Sequence, residues 1–283
     1  MITGAGGLVG RELTGRLVGA EDVTALRHGE LDIADASAVR ASVEKHRPDL
    51  IINCAVIGVD LCETRPDLAR RINVEGPAAL ADAAQSIRSS MLHFSSNYVF
   101  DGSRTDHSFY TIDDDAKPVN EYGRTKLAGE REVIGRCERT WIVRTSWVFG
   151  EGKDSFLATA ASRLAAGERI QAITDTFAST TWVRDLVARV SEIVRRTDYG
   201  TYHVVNSGTC SYASFAEEAA RILGLSSDRA SQLIDRQSED QLKRPAPRPR
   251  WTPMACLMSE RTGLTPLQDW RGALADYIDA SKP

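Results

Sequence analysis

The sequence predicts an α/β fold, a doubly wound parallel sheet followed by a smaller second domain, and three observations carry that prediction. Short apolar runs alternate with helical patterns through the first two-thirds of the chain. Glycines at 4, 7 and 10 form a turn directly before the first amphipathic helix. Tyr122 and Lys126 stand one helical turn apart, downstream of a serine pair that ends a strand-like run.

The elements follow in order. Met1 and Ile2 alone precede the glycine turn, a short first strand. Either the natural chain begins earlier, or Thr3 and the loop backbone supply the remaining ladder bonds. Val9, Leu13 and Leu17 recur every four residues and make one helix face. The next strands are Val23 to Leu26, Leu50 to Cys54, Met91 to Ser95, Trp141 to Thr145 and Tyr202 to Val205, each rich in the side chains of doubly buried strands. Asp35 caps a second helix that carries Val39 and Val43 and stops before Pro48. After Gly150 the spacing predicts a helix from about 154 to 166, a short strand near Ile170, a helix from about 183 to 196 and a last helix from about 267 to 278. Four of the ten prolines fall between Pro245 and Pro253, a stretch read as an ordered loop because a helical segment follows it. The resulting division is 1–150, with 181–206 returning to it, and 151–180 with 207–283.

Composition narrows the classes of function. With 283 residues, 42% hydrophobic and 26% charged, the chain is too apolar for a disordered one. Thirty-five Lys and Arg oppose 39 Asp and Glu, and no basic block stands out, so nucleic acid is not an expected partner. No apolar run approaches the roughly 18 residues that span a bilayer, so no membrane span is expected. The N-terminus lacks a basic segment followed by an apolar one, which makes the cytoplasm the default compartment. Cys54, Cys62, Cys137, Cys210 and Cys256 include no C-x-x-C pair and read as free thiols. His28, His46, His93, His107 and His203 lack metal-ligand spacing and read as structural or surface residues, so no metal is expected.

The chemistry-bearing residues cluster in three places. In the turn Thr3-Gly4-Ala5-Gly6-Gly7-Leu8-Val9-Gly10, Gly4 and Gly7 let the backbone approach a pyrophosphate, and the helix start at Leu8 and Val9 offers free N–H groups to the anion. Glycine-rich turns also occur for purely structural reasons, but the position at the start of an alternating α/β chain favours the dinucleotide-binding turn of a Rossmann-type sheet. The second strand ends in Arg27 and not in an acidic residue, which favours NADPH over NADH, although a solvated surface arginine is the competing reading. Asp32, before Ile33, is either a polar residue at a helix start or a partner for the adenine amino group. Tyr122 and Lys126 share a helix face, and the ammonium is expected to lower the phenol's pKa and make it a proton donor to a reduced carbonyl. Gly123 and Gly129 weaken that helix, so the segment is not optimised merely to be helical. Ser96 follows a strand end, where its hydroxyl can bind a carbonyl oxygen; a turn-forming role is the alternative.

Together these residues resemble the extended short-chain dehydrogenase/reductase superfamily. Within it, Leu31-Asp32-Ile33, Ile52-Asn53-Cys54-Ala55, the run from Ser95 to Gly102, the run from Tyr122 to Glu130 and the run from Arg144 to Gly150 are similar to the dTDP-4-dehydrorhamnose reductase family. The resemblance extends to the C-terminal segments 244–248 and 263–267. It implies NAD(P)H-dependent reduction of the 4-keto group of a nucleotide-activated 6-deoxyhexose, with NADPH the expected cofactor and NADH a second option. It implies catalytic roles for Ser96, Tyr122 and Lys126. Cofactor contacts are implied from the glycine turn, Asp32, Ile33, Asn53, Cys54, Ala55, Tyr122 and Lys126. The sugar is implied near Ser96, Asn97, Tyr122 and Trp147. Two departures stand out: Ser96-Asn97 replaces the family's Thr-Asp, and Asp175 to Thr181 replaces its D-Q-x-G-x-P-T segment, which adjoins the substrate pocket there.

Arg244 and then Arg248 are the candidates for the substrate diphosphate, because guanidinium binds phosphate bidentately and flanking prolines restrict the backbone. A second reading is a non-catalytic regulatory relative, as the methionine adenosyltransferase β subunit is within this superfamily. The expected partner is a nucleotide-sugar substrate, with a homodimer left open.

Overall fold

The computed structural model describes residues 1–281. Its centre is a six-stranded parallel sheet. In chain order the strands are β1 (Ile2–Thr3), β2 (Ala25–Leu26), β3 (Leu50–Asn53), β4 (Ser90–Ser96), β5 (Thr140–Thr145) and a last strand, Gly200–His203. Across the sheet the order is β2-β1-β3-β4-β5, with Gly200–His203 at the edge. The chain therefore leaves β1 to one side for β2 and returns on its other side for β3. Such a reversal opens a crevice at the carboxyl ends of the strands, where α/β sheets bind ligands. The short β1 is held from both sides: Ile2 N–H donates to Thr24 O, and Ile52 and Cys54 N–H donate to Met1 O and Thr3 O. Ala5 N–H continues the pairing into the loop by donating to Leu26 O.

Both faces of the sheet are dry, which is why its strands read as continuous apolar runs. Ile52, Leu92, Trp141 and Val143 point to one face, and Ile51, Met91 and Ile142 to the other. Each such buried side chain contributes about 1.5–3 kcal/mol. The first face is covered by α1 (Leu8–Leu17), through the fully buried Leu13, together with the helix Val183–Ile193. The second face is covered by α2 (Ala36–His46) and the helices that follow β3. Asp35 caps α2 as expected, its carboxylate accepting from Ser37 and Ala38 N–H.

Between β3 and β4 the chain forms α3 (Val59–Thr64), α4 (Pro66–Arg70), a π-helical stretch Arg71–Glu75 and α5 (Gly76–Ser86). The sequence gives little sign of them, because the π turn breaks the helical period and five of the eleven residues of α5 are alanine. α6 (Glu121–Arg136) then lies between β4 and β5 in the chain, its start capped by Asn120, which accepts from Gly123 N–H.

After β5 the helix Phe156–Ala165 and the strand Ile170–Ile173 form where the spacing places them. Ile170–Ile173 pairs with Ile234–Gln237, and Phe177–Ala178 lies between Cys210–Ser211 and Trp251–Thr252. The proline-rich stretch is thus ordered, with Trp251 N–H bonded to Gly102 O. The first-face cluster runs on into Phe215, Trp270 and Leu274 of the helices Tyr212–Ile222 and Trp270–Ala280, so the C-terminal part shares its core with the sheet. All five cysteines are free. No helix among the described residues is long and apolar enough to cross a membrane.

Candidate active site

One cavity of about 790 Å³ opens above the carboxyl ends of the strands. Val9, Cys54 and Ala55 line one end, Ser96, Tyr122 and Lys126 its middle, and Trp147, Tyr212, Arg244 and Arg248 lie further along.

The first end is a phosphate cradle. Gly4 has φ +68°, and a Cβ there would meet Ala55 N at 2.5 Å; a Cβ on Gly10 would meet Gly4 O at 2.5 Å. Only glycine lets strand, turn and helix approach so closely. A Cβ on Gly7 would touch only Gly4 O, so that side of the turn is open. No side chain caps α1 at Gly7, which leaves the Leu8 and Val9 N–H groups to an incoming anion. The stem of Arg27 lies beside Gly6, its Cγ 3.7 Å from a Cβ placed there. These features fit a dinucleotide pyrophosphate with a basic group at its adenosine end.

Asp32, Ile33 and Asn53 each have partners within the protein. The Asp32 carboxylate accepts from Ala34 N–H at 3.0 Å, and the Ile33 side chain is in the core against Gly76. Asn53 is fully buried, where its Oδ1 accepts from Thr3 Oγ1 at 2.8 Å and Ala55 N–H at 3.1 Å. It braces β1 and β3 under the turn.

At the middle, Ser96 shapes a turn and lines the cavity. Its Oγ accepts from Tyr98 N–H and donates to Asn97 Oδ1 at 3.1 Å, so it shapes the turn while facing the cavity. Asn97 spends its amide on Thr252 Oγ1, 2.7 Å away, and holds Ser96 from behind. The amide in place of the family's carboxylate is what allows it to donate to Thr252.

Tyr122 and Lys126 both face the cavity, but the phenol is raised where a lowering by the ammonium was expected, and the cause is burial, not Lys126. Burial pushes the phenol up to about 12; the Ser96 hydroxyl opposes this, and Cys62 and Tyr98 add to it. The Lys126 side chain is engaged elsewhere, with Nζ donating to Phe94 O at 2.6 Å and lying 3.2 Å from His93 Nε2. Lys126 is itself pushed down to about 8 by burial, against the raising influence of Glu130, Cys62 and Cys54. The phenol therefore carries its proton at neutral pH.

The glycines of α6 have a packing explanation. A Cβ on Gly123 would come 2.1 Å from Tyr98 O, and one on Gly129 2.1 Å from Asn73 O. Below them Glu130 accepts two hydrogen bonds from Arg144 of β5, at 2.9 and 2.7 Å, both side chains buried.

Further along, Trp147 adopts φ +41° and stacks on Tyr212 with ring centroids 4.1 Å apart. Its indole N–H is buried and without a hydrogen-bond partner among the described residues. Arg244 faces the cavity and lies 3.4 Å from Glu239. Arg248 is a different case from the free phosphate ligand expected: it pairs bidentately with Asp60 at 2.8 Å and tethers the proline-rich segment to α3. The segment Asp175 to Thr181 does not line the cavity; Asp175 binds Ser238, Glu239 N–H and Arg250. Sequence reasoning missed Tyr212, Tyr98, Lys153 and His93. Tyr212 opens a helix capped by Ser211, where an aromatic reads as core.

A doubly wound sheet with a glycine turn at its reversal point and a Ser-Tyr-Lys cluster in the same crevice is the arrangement of the extended short-chain dehydrogenase/reductases. The RmlD substrate binding domain family matches residues 1–282, and the chain belongs to that family. A dTDP-4-dehydrorhamnose reductase of Mycolicibacterium smegmatis is 38% identical over 99% of this chain and 85% of its own length. A probable dTDP-4,6-dihydroxy-2-methyloxan-3-one 4-ketoreductase of Streptomyces antibioticus is 37% identical over 98% of this chain and 93% of its own. The solved dTDP-4-dehydrorhamnose reductase of Bacillus anthracis, in complex with NADP, superposes with a TM-score of 0.92 at 31% identity, covering 99% and 98% of the two chains. These relatives are reductases, which disfavours the regulatory reading.

Proposed function

We propose that this protein is an NADPH-dependent oxidoreductase that reduces the 4-keto group of a dTDP-linked 6-deoxyhexose, dTDP-4-dehydrorhamnose or a close relative. The observation that carries the reading is the single cavity joining the glycine turn to Ser96, Tyr122 and Lys126 and on to Arg244. The glycine turn, Leu8, Val9, Arg27, Cys54, Ala55 and Lys126 would hold the cofactor, with Asp32 and Ile33 contributing backbone. NADPH, when bound, supplies hydride to the carbonyl carbon. Ser96 hydrogen-bonds the carbonyl oxygen and stabilises its developing charge. Tyr122, protonated because it is buried, gives its proton to that oxygen as the alcohol forms. Lys126 orients the cofactor ribose beside the phenol, and Trp147 and Tyr212 shape the sugar site. The division of labour follows the chain: 1–150 with 181–206 binds the dinucleotide, and 151–180 with 207–283 binds the nucleotide sugar.

The test is direct. The purified protein offered NADPH and dTDP-4-dehydrorhamnose consumes the cofactor with formation of the 4-hydroxyl sugar, and Tyr122→Phe lowers kcat by on the order of 10² or more while cofactor affinity holds. Near-normal turnover in Tyr122→Phe would remove the phenol from the mechanism. Two relatives of nearly equal identity carry names for different dTDP sugars, so a panel of 4-keto sugars ranks the substrates.

A further inference from the structure

His93 lies on β4, fully buried, with one ring nitrogen toward Asn53 and the other toward Lys126. The direction of each hydrogen bond along this row follows from its fixed end. Ala55 N–H can only donate, and it points at Asn53 Oδ1, which also accepts from Thr3 Oγ1. The Asn53 amide is thereby oriented, and its Nδ2 is the donor toward His93 Nδ1, 3.1 Å away. A ring nitrogen that accepts carries no hydrogen, so the hydrogen of the neutral imidazole is on Nε2. That N–H faces Lys126 Nζ at 3.2 Å. An ammonium there would set donor against donor. An uncharged amine completes the row, since it can accept from His93 Nε2–H while donating to Phe94 O.

We propose that Asn53 fixes His93 as its Nε2–H tautomer, and that His93 is a positioning residue which donates to Lys126 and favours its uncharged amine form in the cofactor-free protein. The proposal deepens the reading of Lys126 as part of the reacting site and rests on it. The surroundings agree. The titratable groups facing Lys126 are Cys54 after β3, Cys62 on α3, His93 on β4 and, on its own helix, Tyr122 and Glu130, the last neutralised by Arg144 of β5. Burial holds His93 well below its ordinary range and lowers Lys126 to about 8.

The chain has six lysines and five histidines, few enough for selective labelling. Nitrogen NMR of the full-length protein without cofactor reads both groups, with Lys126→Met and His93→Gln assigning the signals. The expected result is an Nε2–H imidazole for His93 and a Lys126 Nζ that titrates at pH 8 or below. An Nδ1–H imidazole, or a Lys126 midpoint above pH 8, overturns the proposal. Asn53→Asp is the second arm: the carboxylate accepts from Nδ1–H, reverses the tautomer and leaves Nε2 to accept from an ammonium, raising the Lys126 midpoint by at least one pH unit. An unchanged tautomer in Asn53→Asp refutes the role given to Asn53. No cofactor or sugar is present in these measurements, so their failure leaves the reductase reading standing, and a failed reductase assay leaves them interpretable.

Discussion

Lys126 is the residue whose chemistry is most altered by where it is buried, and the alteration has a sign that stability measurements read. In the folded protein it loses its proton near pH 8; in the unfolded chain it does so at 10.5. Between those values the unfolded state binds more protons, so stability rises with pH through this window, by up to about 3 kcal/mol for a downward shift of about 2.5 pH units. Raised thiols and phenols such as Cys62 and Tyr122 act the other way in both proteins, so the check is the difference: the stability of the native protein relative to Lys126→Met is expected to rise from pH 7 to 10.5. Arg27 is a residue of the opposite kind, exposed and beside the glycine turn. Its pairing with a 2′-phosphate is expected to favour NADPH over NADH by about 1 kcal/mol, a preference that Arg27→Ala abolishes in titrations of both cofactors. Equal affinities in the native protein, unchanged in the variant, would withdraw Arg27 from the cofactor site. Single residues such as these were legible where type and spacing carry the chemistry. The lysine's effect on Tyr122 was not, because a four-residue spacing says that two groups share a face and says nothing of which partner each takes.

At the scale of elements, α6 is built for close approach more than for helical stability. Gly123 places the turn that carries Tyr122 directly on Tyr98 O, and Gly129 seats the next turn on the Asn73 carbonyl of the π-helical stretch. Gly123→Ala gains about 1 kcal/mol of helix propensity. Against this, its Cβ would come 2.1 Å from backbone oxygen, which the helix relieves only by moving off the turn that follows β4. The expected outcome is a lower thermal midpoint together with a loss of kcat greater than the loss of cofactor affinity, measured on the same preparation; a variant more stable than the native protein would contradict the packing argument. The strands could be read from the sequence because both faces of the sheet are buried and each strand is an unbroken apolar run. α3, α4 and α5 could not, since a π turn and a run of alanines leave no 3.6-residue stripe to find.

For the whole molecule, the proline-rich segment decides how the C-terminal part closes over the sheet. Its arginines have separate tasks. Arg248 is committed to Asp60 of α3 and Arg250 to Asp175, contacts that fix where the segment lies, while Arg244 faces the cavity with Glu239 as its one ion-pair partner among the described residues. The sequence showed the arginines and the prolines; it could not show which guanidinium is already paired, because Asp60 lies 188 residues away in the chain. A nucleotide diphosphate entering this end needs its charge matched as it leaves water, and Arg244 is placed to do so. Arg244→Ala is therefore expected to raise KM for the dTDP sugar about tenfold or more with kcat and NADPH affinity nearly unchanged, since a contact made equally in ground and transition states affects binding alone. Arg248→Ala leaves the half-buried Asp60 without its partner and loosens the tether, so it is expected to lower thermal stability as well as raise KM. Asp60→Asn should reproduce the stability loss with a smaller effect on KM. Should Arg244→Ala leave KM for the sugar where it was, the diphosphate is bound by another group at this end, and Lys153 and Lys243, which also line the cavity, become the next to replace.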